Sequence, residues 1–186
     1  MPPKRFCILT TIILAGSAAV LLQAQTGLVF EQPLLLTSAG QNAEVQIASV
    51  LCRKAEITAT LAKTATAKDL SNFKTLVLVL GASMKGLGSA GLDIAKERDR
   101  IKSLLAEAKA KSIPVLAMHL GGEVRRGEIT DELIEEYLPA AGLAIVVKSG
   151  NKDGLFTRIC RDRGIPLREV EKTLDALGPL KAAVKK

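Results

Sequence analysis

From Pro33 onward, short apolar runs alternate with amphipathic segments: "PLLLTSAG", "EITATL", "KTLVLVLG", "IPVLAMHLGG" and "LAIVVKSGN" are separated by stretches with helical spacing. Alternation of this kind signals parallel strands joined by crossover helices. Val45, Ala48, Leu51, Cys52 and Ala55 share one helical face, and Ile94, Ile101, Leu104, Leu105 and Ala108 share another, with charges opposite. "TAKDLSNF" predicts a short helix capped by Thr66, "ITDELIEEYLPAAG" a longer one, and "DGLFTRICRDRG" and "PLREVEKTLDALGPLKAAV" two closing helices, the last with Pro166 in its first turn. The expectation is a single three-layer α/β domain over residues 33–186. Its five-stranded parallel sheet takes the order 2-1-3-4-5, a flavodoxin-like, Rossmann-like arrangement.

The first residues read differently. "MPPKR" is a cationic start, "FCILTTIILAGSAAVLL" is an apolar run, and Ala24 offers a small residue for cleavage. That is the pattern of an export signal over residues 1–24, followed by a short leader at 25–32. It predicts a periplasmic or secreted protein with no stable membrane insertion once the signal is cut. Losing Lys4 and Arg5 lowers the formal net charge from +7 to +5. With no Trp, one Tyr and four Phe, the chain lacks the stacking aromatics that nucleic-acid binding uses, and no nucleic acid is expected as a partner.

In open parallel sheets, ligands bind beyond the carboxyl ends of the strands, where the strand order reverses. The loops that follow the strands here are "TSAGQN", "GASMKGLGSAG", "HLGGEVRRG" and "KSGNKDG". Glycine lets backbone approach a ligand, and each loop opens a helix whose unpaired amides favour an anion. Ser38, Gly40, Gln41 and Asn42 come from the first loop, and Ser83, Lys85, Gly86 and Gly88 from the second. His119, Gly121, Gly122, Arg125 and Arg126 come from the third, and Lys148, Asn151 and Lys152 from the fourth. Five cations, Lys85, Arg125, Arg126, Lys148 and Lys152, share this edge with the acids Asp93, Glu123, Glu128 and Asp153. The pattern points to a small anionic ligand, such as a carboxylate, with a membrane transporter as a further partner.

Gly86, Gly88 and Gly91 spell G-x-G-x-x-G, but "ASMK" intervenes after the strand, and the next strand ends in Met118 and His119 rather than an acid. The dinucleotide fingerprint needs both features, so the stretch reads as a compact loop. Flavin would need aromatic walls that a single Tyr does not supply. One histidine and scattered carboxylates have no metal-ligand spacing, so neither cofactor nor metal is implied. A hydrolase is the rival reading, with His119 as base, Ser38 or Ser83 as nucleophile and Asp153 nearby. No G-x-S-x-G elbow accompanies it. A protein-interaction domain is the third reading.

"LLLTSAGQ", "LVLVLGAS" with "KGLGSAG", "MHLGGE" with "RRG", and "VVKSGNKDGLF" resemble recurring segments of a small family of exported bacterial proteins classed as a domain of unknown function. The resemblance spans Glu31 to Val184 and implies an extracytoplasmic α/β domain without an established activity. Finally, right-handed crossovers in the 2-1-3-4-5 order place the helices bearing Cys52 and Cys160 on the same face of the sheet. Both thiols then point inward, either bridged or as two buried free thiols.

Overall fold

The computed structural model describes residues 28–185, so the expected signal segment lies outside the described residues. Six strands form the main sheet: β2 (Leu34–Ala39), β3 (Ala59–Leu61), β4 (Thr75–Leu80), β5 (Val115–His119), β6 (Leu143–Val147) and β7 (Leu167–Val170). All pair in parallel, in the order β3-β2-β4-β5-β6-β7. The five expected strands stand in the expected order, and β7 extends the sheet by one.

β7 corrects the reading of "PLREVEKTLDALGPLKAAV" as one helix. Pro166 precedes a strand, its carbonyl accepting from the Ala144 amide at 3.0 Å. Only Val170 of β7 is buried, as an edge strand with one open side allows. A 3₁₀ turn (Thr173–Ala176) and a short helix, α6 (Leu177–Ala183), follow. β8 (Val184–Lys185) then pairs with β1 (Phe30–Glu31) in a small second sheet. Phe30, in the segment expected as a leader, is 1% exposed in the core.

Strand residues alternate between two apolar layers, as pleating requires. Leu34, Leu36, Val77, Val79, Leu116 and Met118 face the layer of α1 (Glu44–Lys54) and α6. Leu35, Leu76, Leu78 and Ala117 face the other layer, built by α3 (Ile94–Ala110), α4 (Glu128–Tyr137) and α5 (Leu155–Arg163). Chain direction explains the partition. β2 to β3 runs one way across the sheet, whereas β4 to β5, β5 to β6 and β6 to β7 run the other, so right-handed crossovers send α1 to one face and α3, α4 and α5 to the opposite one. The expectation that Cys52 and Cys160 share a face is therefore wrong. α5 is a crossover to a sixth strand, and its cysteine lies in the layer across the sheet from Cys52.

Candidate functional site

β2 and β4 are neighbours from which the chain departs to opposite faces, so the crevice between their carboxyl ends is the switch point of the sheet. A cleft of about 520 Å³ lies there, walled by Gln41, Asn42 and Ala43 after β2, Lys63 and Thr64 after β3, and Ser83, Lys85 and Gly86 after β4. The glycine stretch supplies its upper wall as a short helix, α2 (Met84–Ser89), whose Ser83 cap accepts from the Gly86 amide at 3.1 Å. Gly86 is glycine for contact: a Cβ there would stand 2.0 Å from the Gln41 carbonyl oxygen. Gly40, with φ +99°, is forced by the same closeness, since its Cβ would meet the Gly81 carbonyl oxygen at 2.5 Å.

The floor is tied down from below. Gln41 takes the left-handed conformation at φ 57°, unusual for a residue with a side chain. Its Nε2 donates to the Lys63 carbonyl at 3.1 Å and to both carboxylate oxygens of Glu97 at 3.2 Å. Glu97, fully buried, also accepts from the Gly40 amide at 2.8 Å and from Arg100 Nε and Nη2 at 2.9 and 2.7 Å. Arg100 extends the network to the carbonyls of Ala65 and Ser38 at 2.7 and 2.6 Å. Thr37 Oγ1 donates to the Lys63 carbonyl at 3.0 Å, so two side chains of the network hold that residue. The sequence reading places the α3 charges opposite the apolar face and misses this pair. Glu97 is nevertheless in helical phase with Ile94, Ile101, Leu104 and Ala108, which is the available signal.

The expected site residues divide. Gln41, Asn42, Ser83, Lys85 and Gly86 line the cleft together, while Gly88 faces open space on α2 and stays out of the wall. Four of the five expected cations are neutralised. Arg125 Nη2 meets Glu44 at 2.8 Å, Arg126 binds Asp131 and Asp153, Lys148 pairs with Glu171 at 2.9 Å and Lys152 pairs with Glu123. Asp153 is held down to about pKa 2, chiefly by its hydrogen bond to Arg126. Asn151 is buried as a structural clip, Oδ1 accepting from the Phe156 amide at 2.9 Å and Nδ2 donating to Thr157 and Glu169. Gly121 and Gly122 allow the loop after β5 to lie against Arg125 and Ser149. Lys63 is not among the expected site residues, because it follows a three-residue edge strand.

The catalytic arrangement expected around His119 is not assembled among the described residues. The imidazole is fully buried, 5.1 Å from the Phe156 ring, with Nδ1 and Nε2 each 3.1 Å from a carbonyl oxygen, of Leu80 and Gly122. Ser38 Oγ accepts from the Asn42 amide at 2.8 Å on the other face of the sheet, and Ser83 Oγ is engaged as the α2 cap. Burial, the largest influence, lowers the His119 pKa below its ordinary value.

With that geometry in view, the chain belongs to a family defined only as a domain of unknown function, DUF6305, which matches residues 31–184. No curated protein matches the chain. Among solved structures, AlinE4, an SGNH-hydrolase family esterase, aligns over 85% of this chain and 84% of its own, with 14% identity and a TM-score of 0.32. Two mutants of that esterase align with the same values.

Proposed function

We propose that this protein is an extracytoplasmic binding protein or transport accessory that holds a small anion, such as a carboxylate, in the cleft between the carboxyl ends of β2 and β4. The observation that carries the reading is the charge of that cleft. Lys63 and Lys85 line it, no acidic side chain does, and neither lysine is ion-paired among the described residues. The first turn of α1 has no side-chain cap, and the acid it carries, Glu44, is paired with Arg125. The balance of this cleft contrasts with the loops after β5 and β6, whose cations are already matched by acids.

A thermal-shift panel of organic acids and phosphate esters tests the reading. An anion present at about 100 times its Kd stabilises the fold by about 2.7 kcal/mol through mass action. Lys63→Ala combined with Lys85→Ala should abolish the shift of each hit. A panel without any shift, or shifts that survive the double substitution, would refute the cleft as an anion site. Turnover of a hit, lost in His119→Ala, would favour the hydrolase reading instead. Export is part of the proposal and is tested by fractionating the host, where recovery from the cytosol would remove it.

A further inference from the structure

The edge of the sheet opposite the cleft has another character. Because the strands are parallel, their amino ends and the last turns of α1, α3 and α5 converge there. Arg53 and Lys54 end α1, Lys109 lies in the last turn of α3 and Arg163 in that of α5, while Arg168 and Lys185 sit on β7 and β8. All six are exposed, and none is ion-paired among the described residues. The helix dipole favours cations at helix ends, which accounts for the first four but not for the two on strands. Of the acids on this edge, Glu31, Glu107, Glu136 and Asp162 are matched by Lys74, Lys111, Lys102 and Arg161. Glu56, engaged in an interaction of its own, adds one acid to an edge with six further cations.

Apolar surface accompanies the charge. Leu28 and Val29 are 53% and 52% exposed. Two clefts of about 600 and 560 Å³ share Leu28 and Gly142 in their walls. Leu105, Ile113 and Pro139 contribute to the first, and Phe30, Leu143 and Pro179 to the second, where Arg168 and Lys185 also stand.

We propose that this edge docks peripherally on an anionic lipid bilayer, Leu28 and Val29 entering the headgroup layer while the six cations meet the headgroup charges. Basic residues flanking exposed apolar side chains suit such a surface. No helix among the described residues is long and apolar enough to cross a membrane. Docking in this orientation turns the cleft of β2 and β4 away from the lipid. The inference stands independently of what that cleft binds.

The test uses a chain beginning at Gln25, since the strand pairs and core side chains of the described fold lie between Phe30 and Lys185. Val29→Trp adds a single reporter to a chain that has no Trp. The protein should co-sediment with vesicles of phosphatidylglycerol and phosphatidylcholine but not with phosphatidylcholine alone, with a blue shift of the indole emission. Both effects should fade at about 0.5 M salt. The triple variant Lys109→Glu, Arg163→Glu, Arg168→Glu should weaken the association by about tenfold or more, and Lys63→Glu with Lys85→Glu should leave it intact, each variant being checked for an unchanged melting curve. Absence of association, an unshifted indole, or equal loss in both charge variants would overturn the proposal.

Discussion

Glu97 and Arg100, one turn apart on α3, form an ion pair at 2.7 Å in which the carboxylate is wholly removed from water and the guanidinium is 9% exposed. Each oxygen of the carboxylate has donors, and Arg100 has three further acceptors, so the desolvation of both charges is compensated. Removing one partner leaves the other charge buried and unmatched, which costs about 3–5 kcal/mol. Glu97→Gln keeps an acceptor for the Gly40 amide but strands Arg100, and urea unfolding should show a loss of that order. A loss under about 1 kcal/mol, the range of an exposed pair, would mean that water reaches this site.

The same pair shows what could be read from sequence and what could not. Strands β2, β4 and β6 were legible because strands buried on both faces are continuous apolar runs, and the switch point followed from their order. β7 was not, because at a sheet edge the residues Arg168 and Glu169 are exposed and leave no apolar run to see. Within the site, loop membership was legible but charge balance was not. Arg125 finds Glu44 81 residues away in sequence, and nothing local to either announces the pairing. Glu97 carried a usable signal in its helical phase, overridden by the general expectation that charged residues face water.

Two glycines of the G-x-G-x-x-G stretch should respond oppositely to alanine. At Gly86 the new methyl would meet the Gln41 carbonyl at 2.0 Å, and backbone on both sides of the cleft would have to move. Gly86→Ala should cost about 1–3 kcal/mol, as overpacking does, and should disturb ligand binding. At Gly88, within α2, a methyl meets nothing within 4 Å, and Gly88→Ala should stabilise by roughly 0.5–1 kcal/mol through reduced backbone freedom. Denaturant midpoints of the two variants decide. Equal effects would show that the stretch does not approach the β2 loop this closely.

His119 makes acid stability measurable. A neutral imidazole has one N–H and faces two carbonyls, whereas the imidazolium could donate to both, yet burial outweighs that gain and lowers the pKa from 6.5. Arg126 opposes the charge further, and Glu44 favours it. The folded state thus binds this proton less readily than the unfolded chain does. Its contribution to stability is full above about pH 6.5 and declines as pH falls from there toward the depressed folded value. In urea unfolding from about pH 8 to 5.5, the midpoint of the wild type should fall, and His119→Gln should show a flatter profile. Parallel profiles would place the proton uptake elsewhere.

Cys52 and Cys160 test the handedness of the whole sheet. A helix closing a five-stranded sheet would have brought Cys160 to the α1 face, but β7 makes α5 a crossover, and both cysteines are buried free thiols in different layers. Burial pushes each thiol up to about pKa 11, so little thiolate forms near neutrality. The chain beginning at Gln25 should react negligibly with a thiol reagent at about pH 8 while native. Unfolded without reductant, it should release both cysteines. No free thiol after denaturation would mean a bond spanning the sheet, a geometry that needs Cα atoms within about 7 Å, and the assignment of α1 and α5 to opposite faces would then fall.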